Sequence, residues 1–337
     1  MRVLAWCDDG SPRPRPRAVA VGAFDGLHLG HRQVLDCLMD EARRLGLPSC
    51  LVSFEPTPAQ FFASRPPHNL RLTPRAEREE LLERLGLDEL CVLPFDRTEV
   101  RQRTAEQFLR EVVVAMLGAK VLVGSTSHSM GSDRRRWANI ADLARAEGLQ
   151  VRQVEPLEVQ GESVSSTRVR ELIWRGRVEV AVELLGREYT VQGEVETGTG
   201  TGHKLGFPTL NVSTPPEKLL PSAGVYAGWA RGDVLGDGPV LVPGLGPAWP
   251  VAINVGTAPT RQRAMGLPAL DRPIVEAHVL DWEGDARGER VTVGFVQRLR
   301  GEETFADVEQ LRRAIAQDIE RTRDLMMPRV SWGRRRP

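Results

Sequence analysis

The stretch VAVGAFDGLHLGH, residues 19–31, restricts what this chain can fold into more than any other. An apolar run, Ala18 to Val21, ends at Gly22. Phe24, Asp25, Gly26, His28, Gly30 and His31 follow, and then Val34, Leu35, Leu38 and Met39 recur at helical spacing. The segments read as a buried strand, a tight glycine turn and the start of a helix. Glycines let a backbone approach a ligand closely, and a helix N-terminus offers unpaired N–H groups and partial positive charge, so the turn suits phosphate. Two histidines three positions apart add side-chain donors at the same place. An ordinary strand–loop–helix with two surface histidines would explain a lone G-x-G. Glycines at 22, 26 and 30 together with Asp25, His28 and His31 make that the lesser reading.

The same grammar continues to about residue 185. Residues 11–17, SPRPRPR, should be extended and mobile. Cys50 to Phe54 is a second short strand, stopped by Pro56 and Pro58. Thr73-Pro74 is expected to cap a helix reaching about Leu85, with the proline at its first position. Glu89–Leu93, Val121–Val123 and Gln150–Val154 are further strands, Trp137–Glu147 a helix, and Thr104 with Gln107 a capping box for a helix ending near Gly118. Strands alternating with helices at this spacing imply a parallel sheet with helices on both faces, which binds ligands at the carboxyl ends of its strands.

Past about Leu185 the pattern changes. Short strands at Tyr189–Thr197, Thr209–Val212, Val225–Ala230, Val251–Val255, Ile274–Leu280 and Arg290–Phe295 are separated by glycine- and proline-rich loops. They favour a small antiparallel barrel. Asp307–Met326, with Val308, Leu311, Ile315 and Ile319 on one stripe, is an amphipathic helix expected to pack on it. The fold class is therefore α/β plus β, with the division near residues 184–190 (1–186 and 187–337), and no internal repeat is present.

A length of 337 residues agrees with two domains. Lysine plus arginine and aspartate plus glutamate number 45 each, so global charge gives no argument for a nucleic-acid partner. The local runs at Arg13, Arg15 and Arg17, at Arg134–Arg136 and at Arg334–Arg336 are basic, the terminal ones reading as solvated tails. There is no apolar run of membrane-span length and no signal-peptide core, which leads to the expectation of a cytoplasmic protein without a membrane partner. Cys7, Cys37, Cys50 and Cys91 lack C-x-x-C spacing and read as reduced thiols.

Two further constellations carry chemistry. Ser165-Ser166-Thr167-Arg168 sets small hydroxyls at a helix start with an arginine in the first turn, a combination that holds phosphate through N–H, O–H and guanidinium together. Alone it is weak, because serine and threonine are the usual helix caps. The run GTGTGHKLGFPTLN contains Gly198, Gly200, Gly202, Gly206, Phe207, Pro208, Thr209 and Asn211. Thr209 and Asn211 stand two apart on an expected strand and so face the same way. From the glycines alone a flexible hairpin loop would be preferred.

The pattern G-x-F-D-G followed by H-x-G-H resembles the signature of nucleotidyltransferases, and GAFDGLHLGH is most similar to the FAD synthetase module of bacterial bifunctional riboflavin kinase/FAD synthetases. The glycine loop with G-F-P-T-x-N resembles the riboflavin kinase signature, so the likeness runs from about residue 18 to 326. It implies a Rossmann-like nucleotidyltransferase domain that adenylylates FMN to FAD, and a barrel that phosphorylates riboflavin to FMN, both using Mg²⁺ and ATP. Within it, Gly22, Phe24, Asp25, Gly26, Gly30, Ser165, Ser166 and Thr167 would bind ATP. His28 and His31 would stabilise the α-phosphate, and Arg168 the β/γ-phosphates of the departing pyrophosphate. In the barrel, Gly198, Gly200, Gly202, Gly206, Phe207 and Pro208 would cover the phosphates of ATP, Thr209 and Asn211 would offer Mg²⁺ two hard oxygens, and Glu276 would be the catalytic carboxylate. His278, on the same strand face as Glu276, reads as core or supporting, and His68, His128 and His203 receive no role.

One departure is plain. After the fourth strand the family has an acidic or amide residue, aromatics and glycine, whereas Gly124-Ser125-Thr126-Ser127-His128-Ser129-Met130-Gly131 has no aromatic, and Thr57 stands where a histidine is common. This leaves the ATP motifs intact and leads to the expectation of weak FMN affinity in the first domain. The alternatives are a riboflavin kinase with a weakened or altered first domain, and a flavin-binding regulatory protein without turnover. The expected partners are small molecules, in a monomer or weakly self-associating chain.

Overall fold

The computed structural model describes residues 1–6, 14–198, 202, 205–257 and 273–328. Gly200, His203, Cys7, residues 11–13 of the proline–arginine run and Arg334–Arg336 lie outside them. The chain separates into two compact units, Met1–Val169 and Arg170–Pro337.

The first unit runs β1 (Arg2–Ala5), β2 (Arg17–Val21), α1 (Leu29–Leu45), β3 (Ser49–Glu55), α2 (Pro58–Phe62), α3 (Arg75–Arg84), β4 (Glu89–Pro94) and α4 (Thr98–Arg101). Then come α5 (Ala105–Gln107), a π-helical stretch Phe108–Met116, β5 (Ala119–Ser125), the hairpin β6 (Ser129–Met130) and β7 (Arg135–Arg136), and α6 (Trp137–Ala146). The unit closes with β8 (Gln150–Val154), the hairpin β9 (Glu158–Val159) and β10 (Glu162–Ser163), and the start of α7 (Ser166–Trp174). Six parallel strands form one sheet in the order β1-β4-β3-β2-β5-β8, with β2 inside it. All of β2 is buried, as a strand covered on both faces must be. Val19 and Val21 join Phe108, Val112, Val113 and Trp137 on one face, while Ala18 and Ala20 join Val34, Leu35 and Leu38 of α1 on the other.

The capping box forms as expected, Thr104 accepting from the Gln107 N–H at 3.3 Å, but the helix it starts continues as a π-helix. Thr73 is not a helix cap. It turns away to Asp25 and Gly26, leaving Pro74 at the N-cap of α3 rather than inside the helix. The edge strand β1 was not foreseen, because four residues carry too little pattern to register.

The second unit holds α8 (Val178–Leu185), β11 (Tyr189–Glu196), β12 (Leu210–Ser213), β13 (Gly224–Arg231), β14 (Val240–Val242), β15 (Gly246–Thr257), β16 (Pro273–Val279), β17 (Arg290–Arg300) and α9 (Val308–Met326). Six antiparallel strands follow one another as β13-β17-β11-β12-β16-β15, and pairing of β15 with β13 closes the barrel. β14 is an added hairpin partner of β15 that the sequence pattern did not reveal. α8 packs on β11 and β17, so by packing the second unit starts ahead of the change in sequence pattern near 184–190. α9 lies over β13 and β15. Its C-terminal half is the packed part, through Ile319, Thr322 and Met326, with Asp318 buried in an ion pair to Arg300 at 2.8 Å. Val308, expected on the buried stripe, is instead 62% exposed, on the first turn of α9 ahead of its packed C-terminal half.

Candidate functional site

In the first unit the turn after β2 is built under strain. Phe24 (φ 49°), Gly26 (φ 86°) and Leu27 (φ 43°) all adopt left-handed backbone, which only the glycine does without cost. A Cβ on Gly26 would also come within 2.7 Å of Leu72. The tight path delivers His28 to the N-cap of α1, where its Nδ1 accepts from the His31 N–H at 3.2 Å. With Nδ1 accepting, the proton of the neutral ring sits on Nε2. The His28 and His31 rings stack at 3.6 Å, and Phe24 lies 4.6 Å from His31. No acidic side chain occupies the first turn of α1, so its positive end is left for an anion.

The Ser165–Arg168 run meets this turn. Ser166 Oγ donates to the Asp25 carbonyl at 2.8 Å, and Ser165 Oγ accepts from the Arg168 N–H at 3.3 Å. Two helix N-termini, those of α1 and α7, are thereby tied to one loop. The Arg168 guanidinium is turned to the β9–β10 hairpin, donating to the carbonyls of Val159 and Glu162 at 3.2 and 3.1 Å and pairing with the Glu162 carboxylate at 3.0 Å. Glu162 is exposed, so this pair is weak enough to be exchanged for a phosphate.

The Asp25 carboxylate faces inward. It accepts from the N–H groups of Leu72 and Thr73 at 3.1 and 2.9 Å, from Thr73 Oγ1 at 3.1 Å and from Arg71 Nε at 3.3 Å. Arg71, fully buried, also reaches Glu55 and Gln60 at 3.0 Å. Arg78, equally buried, donates to the Ala23 carbonyl at 3.1 Å and pairs with Glu55 at 3.2 Å. Burial, and then the neighbouring Arg71 charge, push the Arg78 guanidinium down to about 10, which leaves it charged at neutral pH. Two arginines and two carboxylates so clamp the turn from beneath, a network the sequence gave no periodic sign of. Thr57, at the family's histidine position, caps α2 in a capping box with Gln60.

Beyond α2 stands an aromatic group that sequence reading also missed. Phe61, Phe62 and Phe95 contact each other edge-on at 5.2–5.8 Å, with Arg101 over Phe61 at 4.6 Å. Phe62 is 63% exposed. These rings follow the carboxyl ends of β3 and β4, whereas the serine-rich stretch 125–130 follows β5 on the other side of β2.

In the barrel, register does what sequence could only suggest. Glu196, Asn211, Glu276 and Asn254 are successive cross-strand partners on β11, β12, β16 and β15, and so form one row on one face. Asn254 Nδ2 donates to Glu276 Oε2 at 3.3 Å, and Asn211 Nδ2 to the Thr209 carbonyl at 3.4 Å. Thr209 sits just ahead of β12 rather than in it. Two of the motif's glycines stand close by: a Cβ on Gly198 would overlap the Asn211 amide, and one on Gly202 would lie 3.2 Å from Thr209 Oγ1. His278 Nδ1 meets the Pro208 carbonyl at 2.7 Å and its ring stands edge-on to Phe207 at 5.9 Å, which holds the G-F-P-T segment in position. A cleft of about 560 Å³ opens beside the row, walled by Glu196, Gly198, Thr209, Asn211, Glu276 and the loop Trp282–Arg287. That loop had no signal in the sequence reading. Among the described residues no cluster of three or more His, Cys, Asp and Glu is arranged for a metal ion. No helix there is long and apolar enough to cross a membrane.

Comparison with known proteins agrees with both halves. Residues 11–168 match the FAD synthetase family model and residues 185–326 the riboflavin kinase model. Relatives named bifunctional riboflavin kinase/FMN adenylyltransferase include that of Pseudomonas fluorescens, 33% identical over 97% of this chain and 99% of its own. That of Escherichia coli K12 is 31% identical over 94% and 96%. The crystal structure of a macrolide-efflux protein from Streptococcus pneumoniae is similar at 27% identity and a TM-score of 0.78, covering 96% of this chain and 99% of that one. With both signatures in order on both folds, the chain belongs to the family of bifunctional riboflavin kinase/FMN adenylyltransferases.

Proposed function

We propose that the chain converts riboflavin to FMN in its second unit and FMN to FAD in its first, with ATP as co-substrate of both. The observation that carries the kinase half is the row in which Asn211 and Glu276 are direct cross-strand partners, with Gly198 against the Asn211 amide. The Glu276 carboxylate, oriented by Asn254, accepts the proton of the riboflavin 5′-hydroxyl as its oxygen attacks the γ-phosphorus and the bond to ADP breaks. Thr209 hydroxyl and Asn211 amide oxygens are hard donors that fit a Mg²⁺ sharing its shell with water and phosphate. Bound there, the ion would neutralise charge on the transferring phosphoryl group.

In the first unit the FMN phosphate itself attacks the α-phosphorus of ATP and pyrophosphate leaves, so no protein nucleophile is required. His28, His31 and the N–H groups at the start of α1 take the charge on the α-phosphate. The start of α7 and Arg168, released from Glu162, take the pyrophosphate. Asp25 serves as the clamp that keeps the turn in shape. Phe61 and Phe62 offer a flavin the aromatic surface that residues 125–130 lack.

Chromatographic product analysis after incubation with riboflavin and Mg-ATP tests the reading. FMN followed by FAD is expected. FMN alone would favour a kinase with a weakened first unit, and neither product a binding protein.

A further inference from the structure

We propose that His128 is a third histidine of the first unit's nucleotide site, hydrogen-bonding the uncharged nucleoside part of ATP, its ribose or adenine, and helping to set the affinity for that substrate. This rests on the reading of that site as an ATP site. The ring lies where a ligand of the glycine turn would run. Its Cε1 is 3.9 Å from the point a Cβ on Gly22 would occupy, a point also 2.9 Å from the Phe24 ring. Phe24 in turn adjoins His31, which stacks on His28. His128 and the Phe24–His31–His28 rings thus both border the turn, at the carboxyl ends of the paired neighbours β2 and β5.

The imidazole is half-buried, and among the described residues neither ring nitrogen is hydrogen-bonded, although the backbone beside it is held by the His128 N–H to the Ser125 carbonyl at 2.9 Å. No charged group offsets its burial, which pushes the imidazole down to about 4. It is thus neutral at physiological pH, with one donor and one acceptor. A dianionic phosphate is better served by cations and by helix N-termini, which the turn already provides through α1 and α7. A neutral donor–acceptor pair matches a ribose hydroxyl or a base edge. The place within the sheet agrees: the exposed aromatic group follows β3 and β4 on one side of β2, and His128 follows β5 on the other. Flavin and nucleoside would then approach the central turn from opposite sides, meeting at His28 and His31.

The test uses the full chain carrying His128→Ala or His128→Gln. With FMN supplied, His128→Ala should raise the KM for ATP about tenfold, the size of one lost hydrogen bond, while KM for FMN and kcat stay within about twofold. His128→Gln, which keeps a neutral donor and acceptor, should recover part of the loss. Histidine-selective ¹⁵N spectra supply the direct readout, the His128 signals being those missing from the variant. Adenosine should shift them and inorganic pyrophosphate should not, and unchanged His28 and His31 signals in the variant establish that the turn is intact. An unaltered KM for ATP, a rise in KM for FMN instead, or a response to pyrophosphate but not adenosine would overturn the assignment. If the parent chain made no FAD, the adenylylation reading would fail by itself, and the adenosine titration would still decide the role of His128.

Discussion

Asn211 on β12 and Glu276 on β16 are direct cross-strand partners, and Asn254 on β15 extends the pair by donating to the Glu276 carboxylate at 3.3 Å. An amide that fits a metal and a carboxylate that fits a base, 65 residues apart in sequence (276 − 211), are thereby set side by side by barrel register. Gly198 lies against the Asn211 amide so closely that a Cβ there would overlap it.

The first prediction follows from that crowding. Asn211→Ala should sharply reduce riboflavin phosphorylation, with part of the loss recovered by added Mg²⁺, since the carboxylate base remains. Gly198→Ala should mimic it by displacing the amide. Initial rates across a Mg²⁺ series provide the check, and full activity of Asn211→Ala at low Mg²⁺ would remove this residue from the site.

The two chemistries should separate by mutation, since their residues lie in different units. His31→Ala should lower FAD formation by about 10²–10³, as expected for one lost transition-state donor, while riboflavin is still converted and FMN accumulates. Glu276→Ala should stop FMN formation but leave adenylylation of supplied FMN at the parent level. Paired assays with circular dichroism decide the matter. Loss of kinase activity in a folded His31→Ala protein would contradict the assignment.

Phe62 is mostly exposed and packs edge-on against Phe61 and Phe95, so its removal leaves no cavity in the core. If flavin stacks there, Phe62→Ser should raise the KM for FMN several-fold in FAD synthesis, in line with roughly 0.5–1.5 kcal/mol for an aromatic contact, without moving the KM for ATP. Steady-state titration of each substrate distinguishes this from the weak FMN affinity that the missing aromatics at 125–130 led us to expect.

Asp25 is 1% exposed and its carboxylate accepts from Leu72, Thr73 and Arg71. Asp25→Ala leaves Arg71 short of one carboxylate in a buried network and should destabilise the first unit by about 3–5 kcal/mol. A denaturant melt should show this, with the transition of the second unit unmoved. A variant of parent stability that had lost only ATP affinity would instead make Asp25 a direct nucleotide contact.

Much of the architecture was legible in the chain itself. The unbroken apolar run Ala18–Val21 and the helical spacing of Val34, Leu35, Leu38 and Met39 reflect what each segment must bury, and they located β2, the turn and α1. The six barrel strands were legible for the same reason, and the motifs at 22–31, 165–168 and 198–211 are short consecutive runs that can be read without knowing the fold. What tertiary structure alone decided concerns groups brought together from distant positions. Thr73 reads as a helix cap in sequence, yet it bonds to Asp25 and Gly26 because the loop before α3 folds back under the turn. Arg71 and Arg78 look like surface charges on a polar stretch and are buried in a clamp with Asp25 and the partly exposed Glu55, since only a folded sheet supplies those carboxylates and the Ala23 carbonyl to satisfy them. Phe61, Phe95 and His128 acquire meaning only from which strand end each follows, and strand order within a sheet is set by packing between segments far apart in the chain, which no local pattern encodes.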